Sequence, residues 1–577
     1  MSTQKYYQDE LSYLRDLGDE FSRENPTLAP FISRQSNDPD VERLLEGFAF
    51  LTARLRQKLD DQLPELSHSL IQVLWPHYLR PIPACSIVEF KTSGPQAILP
   101  EGTAVQSRPV DGTRCTFRTC FETDVRPLRI TDVRVETGAT TSMLHLRIAN
   151  TAGQSGDRLT PGTLRIHLSA EREPLVSRNI YQWMRTHLDQ ITVVAGGFTA
   201  TLPADALQPV GFSADRKLLP YPPTAFDGFR HLQEYFAFPE KFMFVDVTGL
   251  AVLKEATTAE FDLTFQFDRP LPERFRPGIN HFRLNCAPVI NLFPANAQPL
   301  TVDHRRTEYR LRPEAGNVDH YGIFSVDRVT GWTRARNAMT VYEPFESFQH
   351  VSETQAGSFY RARLRPPVVR GLTETYLSFI NANGTTLLPP NETVAVELTC
   401  TNARLAEHVP IGGIDQVTAA VPAHVSFRNI GAVTPEIPPP IEGDLLWRLI
   451  SNLARNYGSL AELGSLRAVI GTHNIAATVD QQARRRLDLT LEGIRETVVE
   501  PFDWIVRGIP VRGERIHLRV AESRLGGEAE AYLFGCVLDA FFGAYAGINS
   551  VHQLALTGEE AHVEFEWPVR FGTRQAI

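Results

Sequence analysis

The sequence predicts a multi-domain α+β protein with an N-terminal helical bundle segment, a long antiparallel β-rich middle and a C-terminal α/β domain. The chain of 577 residues is longer than one hydrophobic core supports, which indicates about three or four domains. Apolar residues recur with a helical period at both ends of the chain, and with the two-residue period of strands between them. Hydrophobic residues make up 42% of the chain and charged residues 22%, as in ordinary globular proteins, so these regions are expected to fold.

Residues 1–85 are predicted to form helices, the first of which carries apolar residues three and four positions apart. The members of this stripe are Tyr7, Leu11, Leu14, Leu17 and Phe21. A second helix is predicted to begin at Asp38, because this residue can cap a helix and Pro39 suits its first turn. Its heptad-like seam consists of Val41, Leu44, Phe48, Leu51 and Leu55. A third helix is predicted over about residues 65–75, where Pro76 ends it.

Two interpretations of these apolar seams remain open. The seams can pack against each other in a hairpin within one chain, which the sequence alone slightly favours. They can also pack against other molecules. Burial of a Leu or Phe side chain is worth roughly 1.5–3 kcal/mol, so five or six per helix are enough to hold a bundle of several chains.

The middle region, residues 86–434, is predicted to consist of antiparallel sandwiches or barrels. Apolar and polar residues alternate in segments such as 163–168 and 392–398. Turn signals at residues 99–102, 111–112 and 383–384 separate such segments. One helix is predicted over residues 177–187, and the prolines near residue 220 mark a possible division into two subdomains.

The C-terminal domain, residues 435–577, is predicted to follow a semi-rigid linker formed by the prolines at 435 and 438–440. Helices are predicted at residues 445–453 and 528–553, with strands at 516–520 and 561–567. The second helix carries an apolar face that includes Phe534, Leu538, Phe541 and Tyr545. Gly543 and Gly547 lie four residues apart on it, a spacing that lets another backbone come close.

No catalytic, cofactor-binding or metal-binding residues are predicted. Phosphate-binding loops, nucleophile elbows and the HExxH zinc motif are absent from the sequence, and the six cysteines form no CxxC pair. His77, His231, His281 and His320 have no partner at a defined spacing, so we interpret them as structural. The net charge of −9 argues against a nucleic-acid partner, and the basic run at 484–486 is expected to be solvated.

A cytoplasmic location is expected from the N-terminus. Residues 1–12 are charged and polar where a signal peptide needs an apolar segment. The most apolar window, residues 531–545, is shorter than the ~20 residues of a membrane span. Direct membrane insertion is therefore not expected.

Eight short segments in a fixed order along the chain carry a family resemblance. They are residues 6–14, 38–44, 74–81, 234–242, 285–293, 325–329, 531–535 and 548–550. Together they resemble the TssF family of type VI secretion baseplate proteins, also called ImpG or VasA, which is related to the wedge proteins of contractile phage baseplates. The match extends over nearly the whole chain.

This resemblance implies a structural baseplate wedge subunit without enzymatic activity. Its implied partners are TssG and a second TssF copy in a heteromeric wedge, which assembles around the spike and forms the platform for sheath and tube polymerisation. TssK, TssE and the VgrG spike are further implied partners, with indirect contact to the membrane complex and recruitment to the inner face of the inner membrane. No cofactor is implied. A β-rich cytoplasmic enzyme and a carbohydrate-binding protein are the alternatives.

The resemblance also implies roles for the apolar stripes. The two N-terminal stripes named above would form the core bundle of the wedge. Phe534, Leu538, Phe541, Tyr545, Gly543 and Gly547 would form a second contact, between wedges. Further motif residues carry no assigned role, and these are Phe238, Pro239, Glu240, Lys241, Phe242, Asn285 and Asn291. The run 238–242 is either an exposed contact loop or a turn packed against a sheet, and the packed turn is favoured.

Overall fold

The structure covers most of the chain from residue 39 onward. This computed structural model describes residues 7, 11, 14, 39–151, 162–169, 173–213, 215–222, 225–255, 259–272, 275–302, 306–333, 338–345, 358–367, 372–381, 392–441, 445–453, 462–506 and 508–572. The helices in these ranges are α1 (Pro39–Leu74), α2 (Pro174–Thr186), α3 (Gly228–Ala237), α4 (Leu445–Leu453), α5 (Leu463–His473), α6 (Gln481–Gly493), α7 (Glu522–Leu525) and α8 (Glu528–Tyr545).

The strands fall into three groups along the chain. The first group is β1 (Cys85–Thr92), β2 (Ala97–Leu99), β3 (Ala104–Val110), β4 (Thr113–Thr119), β5 (Thr123–Val125), β6 (Leu128–Thr137), β7 (Ser142–Asn150), β8 (Thr163–Leu168), β9 (Leu188–Ala195), β10 (Phe198–Pro203) and β11 (Leu207–Pro209). The second group is β12 (Phe244–Thr248), β13 (Glu260–Phe267), β14 (Phe282–Leu284), β15 (Cys286–Ile290), β16 (Phe293–Asn296), β17 (Leu300–Val302) and β18 (Tyr309–Arg310). The third group is β19 (Gly322–Thr333), β20 (Ala338–Pro344), β21 (Ser358–Arg365), β22 (Glu374–Asn381), β23 (Glu392–Thr401), β24 (Val425–Asn429), β25 (Ile494–Val506), β26 (Ile509–Val520), β27 (Val551–Gly558), β28 (Glu564–Glu566) and β29 (Arg570–Phe571).

These strands form five larger sheets and the small pair β2–β5. The strand orders are β24-β1-β15-β4-β3, β10-β9-β13-β7-β6, β11-β12-β8-β14, β16-β23-β19-β20-β21-β22-β18 with β17 on β23, and β25-β26-β27-β28 with β29 on β27. Pairing is antiparallel throughout the middle region except at a short parallel contact of β20 with β21. The predicted multi-domain α+β architecture with a β-rich middle is confirmed.

Several sequence-based predictions in the middle region match the observed elements. β8 has the bounds predicted for it, and the helix predicted over residues 177–187 is α2. Asp111 and Gly112 form the turn between β3 and β4, both with φ in the left-handed region, at 47° and 80°. Two such residues in succession are the requirement of a type I′ hairpin turn. The turn predicted at residues 383–384 lies outside the described residues.

The first long helix corrects the prediction of two separate helices before Trp75. α1 is a single helix of 36 residues that continues through Pro64. No glycine or asparagine lies between the two predicted helices to end the first, and although an interior proline lacks an amide donor and crowds the carbonyl four residues before it, the chain stays helical on both sides of Pro64. The chain therefore leaves the helix only at the prolines that follow Trp75.

The long C-terminal helix is shorter than predicted. α8 ends at Tyr545, whereas the apolar period predicts helix as far as residue 553. Gly547 and Asn549 favour a turn, and the β-branched Val551 then begins β27. α8 thereby becomes the crossover between β26 and β27, which pair in parallel.

One hydrophobic core joins the middle and C-terminal regions. Leu263 and Ile166, from two sheets of the middle region, belong to the same buried cluster as Phe541 on α8 and Leu554 on β27. The proline-rich segment that begins at residue 435 lies against the body of the protein, because Ile82 and Ile437 exchange backbone hydrogen bonds of 2.8 and 2.9 Å. The division into domains at residue 435 stays a prediction.

Candidate assembly surfaces

An apolar stripe on α1 is exposed to solvent. Leu44 is 73% exposed, and Phe48 and Leu51 are each 59% exposed. At 100° per residue these three side chains lie within about 60° of one another around the helix axis. Ala49 and Ala53 lie on roughly the opposite side and are fully buried. One face of α1 is thus covered by the chain, while the apolar face opposite to it is uncovered.

The far end of α1 is fixed to the body of the protein. Ile71 is fully buried in a cluster with Leu446 and Leu449 of α4. The His68 imidazole lies 3.0 Å from the Ile441 carbonyl oxygen. A helix rises ~1.5 Å per residue, so Phe48 lies ~35 Å along the axis from this anchor. The exposed stripe therefore lies far along the same helix from the point where that helix is anchored.

The remaining residues predicted for the core bundle are only partly described. Tyr7, Leu11 and Leu14 are helical and half-buried. Leu17 and Phe21 lie outside the described residues. Val41 and Leu55 belong to α1, but their side chains are not among those described. The predicted bundle is thus represented by Leu44, Phe48 and Leu51 of α1 and by these three half-buried positions.

The side chains predicted for a contact between wedges on α8 belong to the core of this chain. Phe534, Leu538, Phe541 and Tyr545 are almost completely buried. The prediction of a contact through these side chains is therefore wrong, since α8 packs on α2 and α3 and is covered by its own chain. Gly543 is also buried and faces Arg570 and His552, whereas Gly547 is exposed beyond the helix end.

Buried charges fix α8 within the fold. Glu530 on α8 pairs with Arg178 of α2 at 3.0 Å and accepts a hydrogen bond of 2.6 Å from the Tyr235 hydroxyl of α3. Asp539, fully buried on the same helix, lies 2.7 Å from Arg570 Nε of β29. Removal of one partner from a buried ion pair is costly because the other charge is left without compensation. These pairs therefore hold three helices and the C-terminal strand in one arrangement.

The motif at residues 238–242 is a packed turn, as favoured from the sequence. Phe238 and Phe242 are buried, and the fully buried Lys241 ammonium pairs with the equally buried Glu234 carboxylate of α3. Burial opposes ionisation of Glu234, but Lys241 and Arg230 outweigh it and hold its pKa below the usual value. Pro239 and Glu240 are half-buried in the turn between them.

The carboxylate of Glu234 also holds the preceding loop. The backbone amides of Leu218 and Leu219 donate hydrogen bonds of 2.8 and 2.9 Å to it. Arg230 Nη1 lies 3.5 Å from the same oxygen. This site is a fully partnered structural network, so the motif defines how a loop, a helix and a turn fit together.

Asn285 and Asn291 connect separate segments of backbone. The Asn285 side chain accepts a 3.1 Å hydrogen bond from the Arg126 amide and donates one of 2.8 Å to the Arg126 carbonyl. Asn291 accepts a 2.6 Å hydrogen bond from the Asn402 amide and donates one of 2.8 Å to the Thr116 carbonyl. Both asparagines replace missing backbone pairing, and this gives each a structural role.

A second exposed apolar surface was not anticipated from the sequence. β25 and β26 form a long hairpin, but β27 pairs with β26 only from Gly513 onward. The outer part, residues 503–506 and 508–512, is the hairpin arm. It exposes Trp504, Ile505 and Ile509. The sequence signal for this surface is a pair of apolar runs, one on each side of Gly508. Apolar and polar residues need not alternate strictly in a two-stranded ribbon that has solvent on both faces.

The buried histidines are poor candidates for acid–base chemistry. Burial lowers the pKa of His77 and of His231 to about 3. Such side chains are neutral and enclosed at physiological pH. His320 lies 2.8 Å from the Thr113 hydroxyl, and His281 lies 3.7 Å from Glu173, and both residues are half-buried. All six cysteines are buried and reduced.

Within the described ranges no group of three or more His, Cys, Asp or Glu side chains is arranged to hold a metal ion. In the same part of the chain, no helix has both the length and the hydropathy needed to cross a bilayer.

Two sequence comparisons with known proteins agree on one family. The sequence model of the family described as "Type VI secretion system, TssF" matches residues 1–574. The type VI secretion system component TssF1 of Pseudomonas aeruginosa is 28% identical over 630 aligned positions, which cover 99% of this chain and 98% of that protein.

Two solved structures contain similar chains. In the type VI secretion system TssK-TssF-TssG baseplate subcomplex, determined by cryo-electron microscopy, a chain is 31% identical with a TM-score of 0.77 and covers 92% of this chain and 99% of its own length. In the baseplate complex from the type VI secretion system, a chain is 26% identical with a TM-score of 0.62, and both chains are covered completely.

Proposed function

This chain belongs to the TssF family of the type VI secretion system, and from that premise we propose that it is a structural component of the secretion baseplate that assembles with TssG and TssK. Its similarity to a chain of the TssK-TssF-TssG baseplate subcomplex supports this role. Family membership favours the assembly role over a β-rich enzyme or a carbohydrate-binding protein. The buried, neutral state of His77 and His231 favours it as well.

The observation that carries the proposal is the uncovered stripe of α1. Leu44, Phe48 and Leu51 form an apolar face on a helix whose other face is already covered. Seams of this spacing normally receive the side chains of a second helix. We therefore assign this stripe to a core bundle that TssG and a second TssF copy complete. The other predicted members are Tyr7, Leu11, Leu14, Leu17, Phe21, Val41 and Leu55.

The finer arrangement follows from the same proposal. TssE and the VgrG spike would contact the assembled wedge, which would form in the cytoplasm and be recruited to the inner face of the inner membrane. The hairpin arm takes the place of α8 as the surface that meets a neighbouring wedge, because its apolar residues are exposed and those of α8 are not. Trp504→Ala should leave the TssG complex intact and weaken association of the wedges with each other.

Co-expression with the TssG protein of the same organism tests the proposal. Size-exclusion chromatography with light scattering should show a defined heteromeric complex of higher mass than either protein alone. The chain without TssG should be polydisperse, since its apolar stripe is uncovered. A stable monomer whose elution and mass do not change when TssG is present would contradict the assembly role.

A further inference from the structure

The apolar side chains of the hairpin arm lie mostly on one of its two faces. Residues that pair across two strands share a face, and Trp504 pairs with Val511 while Val506 pairs with Ile509. None of these four side chains carries a charge, and Ile509 is 67% exposed. We call these four residues the arm face. They present an apolar surface on the part of the hairpin that β27 does not reach.

Charged side chains limit the arm face. Asp503 and Arg512 pair across the strands on the other side of the arm, and both are exposed. Toward the body of the protein, the Arg515 guanidinium lies 5.3 Å from the centre of the Phe502 ring and covers it. The other side of the arm therefore mixes charges with Ile505, and the arm face is the more apolar of the two.

The two edges of this hairpin are poorly suited to the addition of a further strand. Val506 and Ile509 are separated by two residues, so they exchange backbone hydrogen bonds with each other, and such pairs alternate with pairs that exchange none. By this alternation, the nitrogen atoms of Pro501 and Pro510 point to the outer edges, and a proline nitrogen has no hydrogen to donate. Prolines at such positions protect exposed edges. We therefore expect the arm to dock through its apolar face.

A second apolar sheet face is exposed elsewhere on the chain. Trp332 of β19 pairs with Met339 of β20, and Thr330 pairs with Val341, so these four side chains share one face. Met339 is 65% exposed. The opposite side of the sheet is already packed, since Val329 is buried in the core. We call the exposed side the Trp332 face, and its members, all uncharged, are Thr330, Trp332, Met339, Val341, Thr393 and Ala395.

We propose that the arm face of one copy packs on the Trp332 face of a second copy of this chain in the neighbouring wedge. This inference rests on the proposed function, which assigns the arm to a contact between wedges, and it names the surface that the arm meets. Both surfaces are uncharged sheet faces, and such faces pack on each other about 10 Å apart. Among identical subunits, one contact of this kind covers both faces, whereas contact between two arm faces would leave the Trp332 face uncovered. A head-to-tail contact closes into a ring when the rotation between copies is suitable.

The contact is too small to hold two free copies together. A large aromatic side chain buries at most about 250 Å². Four side chains that are partly covered by their own chain therefore fall well below the roughly 800 Å² per partner of a stable complex. We do not expect the isolated chain to dimerise through the arm. The contact becomes effective once the rest of the assembly holds neighbouring copies side by side, because their effective concentration is then high.

Cross-linking between two different TssG complexes tests this pairing. One complex carries Ile509→Cys and the other carries Met339→Cys, both at exposed positions, while the six native cysteines are buried. The complexes are mixed at high concentration and treated with a bismaleimide, whose irreversible reaction traps even a short-lived contact. We expect at least fivefold more cross-linked dimer in the mixture than in either complex alone. Trp332→Asp, added to the Met339→Cys chain, should reduce this yield at least fivefold, because it places a carboxylate against the apolar arm face.

Val479→Cys is the matched control in place of Met339→Cys, since Val479 is similarly exposed and lies outside the Trp332 face. Its mixture with the Ile509→Cys complex should give only the background yield of the wild type. An equal yield in the Ile509→Cys complex alone would show that arms contact each other and would overturn the inference. A mixture with Met339→Cys that is cross-linked no better than this control would overturn it as well. The mass of each TssG complex, measured by light scattering before mixing, tests the proposed function separately.

Discussion

Replacing Phe48 with aspartate should disrupt assembly while leaving the fold of the isolated chain intact. Phe48 is 59% exposed on α1, so the chain itself buries less than half of the ring. An aromatic side chain offers roughly 200 Å² for burial, which leaves about 120 Å² for a partner to cover. At about 25 cal/mol per Å², that area is worth about 3 kcal/mol of binding free energy. Burial of an unpaired carboxylate adds to the loss.

A loss of about 3 kcal/mol corresponds to a dissociation constant for TssG at least ~100-fold higher. Isothermal titration calorimetry with purified TssG measures this directly, and urea denaturation of the variant alone measures the free energy of unfolding. Val479→Asp provides the matched control, because Val479 is 58% exposed and lies outside α1. Its affinity for TssG should equal that of the wild type. Wild-type affinity of a folded Phe48→Asp variant would show that TssG does not pack against this face of α1.

Three further predictions concern stability. Lys241→Met should lower the free energy of unfolding, measured by urea denaturation, by about 3 kcal/mol, because the buried Glu234 carboxylate loses its main partner. Adding Glu234→Gln to this variant should restore part of the lost stability. Burial raises the pKa of Glu436 to about 7, above its unfolded value of 4.5, so its stability contribution is present below pH 4.5 and is lost as pH rises through 7. Glu436→Gln should therefore raise the melting temperature at pH 8 and much less at pH 4.5; equal shifts at both pH values would contradict this. Gly535→Ala would place a Cβ 2.3 Å from a tryptophan ring and should cost about 1–3 kcal/mol, whereas Gly547→Ala, with open space around it, should change stability by less than about 0.5 kcal/mol.

The periodicity of apolar residues predicted where helices form better than it predicted what packs against them. The apolar spacing on α1 and on α8 identified both helices, and both were interpreted as contacts with other subunits. The structure leaves Phe48 exposed but buries Phe541 completely. The two helices differ in exposure because distant parts of the chain cover α8: α2 and α3 pack against it. No local pattern within residues 528–545 predicts that these helices pack there. A stripe shows that a face is apolar, while the identity of its partner is a property of the tertiary fold.

The ion pair of Glu234 and Lys241 shows a second limit. The two residues are seven positions apart, which on a continuous helix would place them on one face. α3 ends at Ala237 instead, and a turn that begins at Pro239 returns the lysine to the carboxylate. The proline was visible in the sequence and favoured a packed turn. A fully buried lysine was not foreseeable, because burial of its charge depends on the equally buried Glu234 carboxylate, which the turn brings into contact with it.

The position of β1 between β15 and β24 has a consequence for biosynthesis. Val88 pairs with Asn429 on one side, so this strand must wait for residues made about 340 positions later. At 5–20 residues per second, a ribosome needs roughly 20–70 s to supply them. During that interval β1 has at least one edge without its hydrogen-bonding partner, and such an edge is a template for aggregation. Fragments that stop before residue 425 would keep that edge permanently, so we expect them to aggregate more readily than the full chain.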